Sequence, residues 1–117
     1  MRGDASTVLV VDDDPSLRLL CRVNLELEGY TVIEAGTLDA AARALEDGVV
    51  DVVLLDVHLG NEEGLTLISK IEESGLGSST ALLTGSPGKE LPPDATVIPK
   101  PFRIDDLTGT VRRLAAS

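Results

Sequence analysis

Asp12 and Asp13 follow the apolar run TVLVV, Asp56 closes the run VDVVLLD, Thr84 ends TALLT, and Lys100 follows ATVIP. Each sits where a short aliphatic or β-branched segment gives way to polar sequence. Carboxylates crowded together disfavour one another's charge unless a cation lies among them. An oxygen-only donor set of this kind suits Mg2+, which takes one or two carboxylates, water and phosphate oxygens. A carboxylate such as Asp56 can attack phosphorus and form an acyl phosphate. A divalent cation and the Lys100 ammonium would offset charge on the transferring group. The short Thr84 hydroxyl could donate a hydrogen bond to a phosphoryl oxygen.

Residues so far apart in sequence act together only if the fold collects them. Thr7–Val11, Thr31–Glu34, Val50–Leu55, Thr80–Thr84 and Ala95–Ile98 read as strands, and the near-unbroken apolar runs indicate burial on both faces. Helices are expected from Pro15 to about Glu28, over Leu38–Glu46, Gly64–Glu73 and Ile104–Ala115. Asp14 is a good N-cap with Pro15 at the first helical position, and Thr37 or Gly36 caps the second helix. Gly29 and Gly48 stop the first two helices. The inward faces are assigned to Leu17, Leu20, Cys21 and Leu27; to Leu38, Ala41 and Leu45; to Leu65, Ile68 and Ile71; and to Leu107, Val111 and Leu114. Gly109 weakens the last helix by about 1 kcal/mol relative to Ala.

Strands alternate with helices, which predicts an α/β fold: a doubly wound, five-stranded parallel sheet with helices on both faces. In such a sheet ligands bind outside the carboxyl ends of the strands. Asp12, Asp13, Asp56, Thr84 and Lys100 all fall there and should converge on one edge. One crossover breaks the rhythm. The link Gly85–Asp94, GSPGKELPPD, contains Pro92 and Pro93, which forbid helix extension. The fourth crossover helix is therefore expected to be reduced or absent, and the link tight and largely extended.

The 117 residues suit one domain, 1–117, and hydrophobic residues make up 43%. Aromatics are Tyr30 and Phe102, so the core must be aliphatic. A net charge of −10 argues against nucleic-acid binding by this domain and suits a cation-binding one. No apolar run approaches the roughly 18 residues of a membrane span. Cys21 cannot form an internal disulfide and reads as a core filler, which fits a reducing, cytoplasmic setting. His58, the sole histidine, has no partner His or Cys that would make its ring a metal ligand.

The stretches VLVVDDDPSLR, DVVLLDVHLGNEEGLTLI, ALLTG and PKPF, in that order, resemble a response-regulator receiver domain over the whole chain. The resemblance implies the flavodoxin-like strand order 2-1-3-4-5. It implies that Asp12 and Asp13 hold Mg2+, that Asp56 is phosphorylated, and that the backbone carbonyl of His58 is a further metal ligand. Thr84 would be the switch hydroxyl and Lys100 the phosphate-binding lysine, with a cis Lys100–Pro101 bond. The implied partner is a histidine kinase or histidine phosphotransfer protein, with the domain a monomer or weak dimer. It would catalyse only its own phosphorylation and dephosphorylation.

This chain departs from the family's pattern at several places. Gly60 replaces the usual proline after the phosphoacceptor loop, while Gly64 keeps its place. Gly85 follows the switch threonine, where alanine is frequent. Val97 replaces the aromatic switch residue. With the reduced fourth helix, these changes predict intact phosphorylation chemistry and altered signalling from the face that most receivers use for output. Three other readings compete. A module of this fold that binds protein without phosphorylation gains from those departures and loses because the acid pocket is complete. A flavin-type cofactor binder would need a phosphate-cradling loop where this chain has three aspartates. An aspartyl-intermediate phosphohydrolase would carry its nucleophile after the first strand, with a second acid two residues on.

Overall fold

The computed structural model describes residues 6–59, 62–63, 66–73, 79–85 and 95–116. Strand β1, Thr7–Val11, leads into helix α1, Pro15–Leu27. Strand β2 is Thr31–Ala35 and helix α2 is Leu38–Asp47. Strand β3, Val52–Asp56, is followed by a short antiparallel hairpin of β4, His58–Leu59, and β5, Glu62–Glu63. Helix α3 spans Thr66–Glu73, then come β6, Thr80–Thr84, β7, Thr96–Pro99, and helix α4, Ile104–Ala115.

Five strands form one parallel sheet in the order β2-β1-β3-β6-β7. With the hairpin set aside, this is the expected 2-1-3-4-5 order of a doubly wound, flavodoxin-like fold. Successive residues on each strand face opposite sides, and the core divides accordingly. Val8, Val10, Val52, Leu54, Ala81 and Leu83 pack with α1 and α4. Leu9, Val11, Val53, Leu55 and Leu82 pack with α2 and α3. The start of β1 is capped from the segment before β3: Asp51 Oδ2 accepts from the Thr7 N–H at 2.7 Å.

The helix starts follow the sequence signals. Asp14 caps α1 by accepting from the Ser16 N–H at 2.9 Å, with Pro15 next. Thr37, not Gly36, caps α2, accepting from the Ala40 N–H at 3.1 Å. Gly29 ends α1 with φ of 98°, a conformation that side-chain-bearing residues rarely adopt. Helix α4 runs unbroken through Gly109, buries Leu107, Val111 and Leu114 as expected, and also buries Thr108.

Several expectations need correction. The third strand begins at Val52 rather than Val50 and includes Asp56 as its last residue. The fifth runs Thr96–Pro99, shifted by one residue. On α1 the buried residues are Cys21 and Leu25, with Leu17 packed against them, while Leu20 is 44% and Leu27 79% exposed. The sheet-facing stripe is thus Leu17, Cys21 and Leu25 at i, i+4 and i+8, and Leu20 and Leu27 point away from it. On α3, Leu67 is buried beside Ile71, with Ile68 at the margin. The hairpin after Asp56 was not anticipated, although the Gly60-Asn61 dipeptide between its strands is a hairpin signal. The expectations for Gly60, Gly64 and Leu65, and for a reduced fourth helix in residues 86–94, lie outside the described residues.

The corrected face of α1 predicts unequal costs for two leucines that stand two residues apart on opposite sides of the helix. Leu25→Ala should lose about 2–5 kcal/mol of stability. Leu27→Ala should stay within about 0.5 kcal/mol of the parent. Urea denaturation of both variants checks this, and equal losses would restore the original assignment.

Candidate functional site

Register explains how carboxylates distant in sequence become neighbours. Val10 pairs with Leu54 and Val11 with Leu55, so Asp12 continues the ladder opposite Asp56. Parallel neighbours at one rung sit about 4.8 Å apart and point to the same side of the sheet. Carboxylate oxygens of Asp12, Asp13 and Asp56 all lie within 4.8 Å of one another. Asp12 and Asp56 are buried, whereas Asp13 faces solvent. This arrangement puts an opening on one side of an otherwise enclosed acidic cluster.

Lys100 supplies the counter-charge. Its Nζ donates to Asp12 Oδ2 at 2.9 Å and lies 3.6 Å from Asp56 Oδ1. The other Asp12 oxygen, Oδ1, accepts from the Asp14 N–H at 2.9 Å, so both oxygens of this buried carboxylate are engaged. Partial burial alone would lower the Lys100 pKa. The hydrogen bond and charge of Asp12, then the charge of Asp56, outweigh it, and the pKa is raised. The lysine is placed by backbone contacts: its N–H donates to the Thr84 carbonyl at 2.7 Å, and the Lys100–Pro101 bond is cis as expected. A Cβ on Gly85 would lie 4.0 Å from Lys100 Cβ, so the lysine stem passes over a residue without a side chain.

Thr84 is the last residue of β6 and is buried. Asp56 pairs with Leu83, which sets Thr84 one rung beyond the acidic cluster on the neighbouring strand. His58 starts β4, two residues after Asp56, with its backbone paired to Glu63. Val97 is half-buried on β7 and lines an open groove of about 390 Å3 with Ile98, Gly109 and Thr110. The structure therefore gathers Asp12, Asp13, Asp56 and Lys100 directly and aligns Thr84 and His58 on the same edge.

One contributor carries no motif in the sequence: Arg18 Nη1 donates to the Asp12 carbonyl at 2.7 Å and its Nε to Glu34 Oε1 at 3.1 Å. Arg22 holds the other Glu34 oxygen at 3.0 Å. The Arg22 hydrogen bond, with help from Arg18, keeps the Glu34 carboxyl below its usual range. The available signal was a long cation one turn into a helix that begins at an acidic pair.

A family model described as the response regulator receiver domain matches residues 8–112. The chain is 32% identical to a probable transcriptional regulatory protein, TcrX, of Mycobacterium tuberculosis, with 96% of this chain and 50% of that protein aligned. It superposes on a CheY-like receiver domain protein from Methanospirillum hungatei with a TM-score of 0.88 at 27% identity, covering 97% of this chain and 95% of the other. The response regulator TrrA of Thermotoga maritima, solved in complex with Mg2+-BeF, gives a TM-score of 0.81 at 29% identity over 93% of this chain and 98% of that one. The chain belongs to the response regulator receiver domain family, the phosphoacceptor modules of two-component signalling. It spans about half the length of the curated relative TcrX.

Cys21 lies fully buried on α1 beneath this edge. Burial, and secondarily the charge of Asp12, push its thiol from 9.0 to about 12. The folded state thus favours the neutral thiol. That contribution to stability is complete below about pH 9 and is lost as the pH rises towards 12. At pH 8 a thiol-disulfide reagent should leave the native protein unmodified and react fully after unfolding in urea. Rapid native labelling would show that Cys21 is accessible and ionisable.

Proposed function

We propose that Asp56 accepts a phosphoryl group from a histidine kinase or a histidine phosphotransfer protein. The observation that carries this is the cluster of Asp12, Asp13 and Asp56 oxygens within 4.8 Å, with Asp12 and Asp56 buried and Lys100 Nζ reaching both of them. In the reaction an Asp56 oxygen attacks phosphorus. The new O–P bond forms as the N–P bond of the donor imidazole breaks, and the electron pair leaves with the imidazole nitrogen. Lys100 offsets charge on the equatorial oxygens, and the Thr84 hydroxyl donates to one of them once the group is in place. The chain acts as an enzyme only towards its own phosphorylation and dephosphorylation.

The donor set fits Mg2+: it is anionic, all oxygen and open on the Asp13 side. Asp12, Asp13 and Asp56 would hold the ion together with the His58 backbone carbonyl. The similarity to TrrA, solved with Mg2+-BeF, supports the same reading. When bound, the cation neutralises charge shared by the carboxylates and the incoming phosphoryl group. The partner is a protein and not nucleic acid, given the net charge of −10. Among the described residues no helix is long and apolar enough to cross a membrane. We assign the domain to the cytoplasm, as a monomer or weak dimer. The completeness of the acid cluster weighs against a module that signals without phosphorylation.

Two experiments test this reading. Incubation with acetyl phosphate and Mg2+ should add one phosphoryl group by mass, and Asp56→Asn should abolish it. Labelling that persists in Asp56→Asn would sink the assignment. Lys100→Met should slow phosphorylation on the order of 100-fold, as loss of a charge-stabilising donor does. The same variant should bind Mg2+ more tightly, because the ammonium no longer occupies Asp12. A weaker Mg2+ affinity in calorimetry would contradict the role of Lys100 as a cation that competes for this carboxylate.

A further inference from the structure

Asp12 and Asp13 are joined by one peptide group, so the direction of that peptide sets how far apart their carboxylates point. The Asp12 N–H donates to the Ala35 carbonyl of β2 at 3.0 Å. The Asp12 carbonyl accepts from Arg18 Nη1 at 2.7 Å. The residue is therefore pinned on both sides by groups outside the acidic cluster. Arg18 is itself fixed through its Nε on Glu34, whose second oxygen is held by Arg22. Its side chain is only 20% exposed. The guanidinium fork makes two directed bonds at once, which a lysine cannot reproduce.

Gly36 supports the same arrangement from the other side. A Cβ at this position would come within 3.0 Å of Arg18 Nη1, the atom that donates to the Asp12 carbonyl. The absence of a side chain at Gly36 leaves room for the guanidinium to lie against the end of β2. Helix α1, the β2 end and the acidic turn are thereby coupled through one side chain that touches no metal-binding or phosphate-binding atom.

We infer that Arg18 is a positioning residue for the metal-binding acid pair, fixing the Asp12–Asp13 peptide through the Asp12 carbonyl, with Glu34 and Gly36 fixing the guanidinium. This rests on the reading of Asp12 and Asp13 as Mg2+ ligands. Partners that orient metal ligands from outside typically change affinity by about 10–100-fold when removed. Arg18→Met should therefore weaken Mg2+ binding by about tenfold. Arg18→Lys should recover little of this, because it restores charge without the fork. Gly36→Ala changes no charge and displaces only the far end of a flexible side chain, and should weaken binding by about two- to threefold, a fraction of the full effect.

The test is calorimetric titration with Mg2+ alone, well below each variant's melting temperature, with Arg43→Met as a control for loss of one positive charge. Arg43 pairs with Asp39 on the exposed surface of α2, remote from the acid pair. Wild type and Arg43→Met should bind alike, with Arg18→Met and Gly36→Ala weaker in that order. Wild-type affinity in both Arg18→Met and Gly36→Ala would overturn the inference. Full recovery in Arg18→Lys would also overturn it, by showing that a single donor suffices and the guanidinium fork is not needed. If Arg18→Met does not fold, Gly36→Ala decides. Failure of the wild type to bind Mg2+ would instead overturn the metal-site reading beneath it, and this inference with it.

Discussion

The in-register pairing of β1 with β3 places the Asp12 and Asp56 carboxylates side by side at the carboxyl edge of the sheet. Two like charges at one strand spacing repel by roughly 3 kcal/mol at an effective dielectric of about 20. The ladder cannot slip to relieve this, because a shift of one residue would turn every core side chain of the strand to the wrong face. Positive charge must come to the acids, and Lys100 brings it from the far end of the chain with a 2.9 Å contact to Asp12. The ion pair joins the ends of β1, β3 and β7. It also leaves the cluster in a state that a divalent cation can enter by competing for the same oxygens.

Much of this was legible in the sequence because each signal was local and strong. The limits of β1, β6 and α4 fell where apolar runs met Asp, Gly or the last periodic residue. Asp14 and Thr37 announced their helix starts through side chains that bond to the first free N–H groups. The acid cluster could be assembled on paper, since a parallel sheet carries all strand ends to one edge. What escaped were features decided by packing direction. Leu20 and Leu27 look like core residues in a list of apolar positions, but only Leu17, Cys21 and Leu25 stand over the sheet. Arg18 escaped for the complementary reason: an arginine on a helix surface looks solvated until the neighbouring strand is known to end beside it. The His58–Glu63 hairpin was overlooked because two-residue strands carry almost no periodicity.

The edge that holds the acids and the edge strand β7 differ in how much they ask of the sequence. Around Asp12 nearly every contact has a named partner, from the Asp14 N–H to Lys100 and Arg18. On β7, Val97 stands at an open groove against α4, and Gly109 adds nothing to fill it: among the described residues no atom lies within 4 Å of where its Cβ would be. Tight specification around Asp12 and looseness beside β7 occur in one sheet, with β3 and β6 between them.

The division of the core by the sheet bears on how this sequence can vary. Leu54 and Leu55 are adjacent in the chain, yet one packs beneath α1 and α4 and the other beneath α2 and α3. They belong to separate core clusters, so replacements at the two sites disturb different sets of packing partners. Val10 and Leu54 lie far apart in the chain but pair on adjacent strands within the same interior. A volume lost at one can be recovered at the other. Compensating changes in descendants of this chain should therefore skip alternate positions and link distant strands, leaving immediate sequence neighbours free to drift on their own.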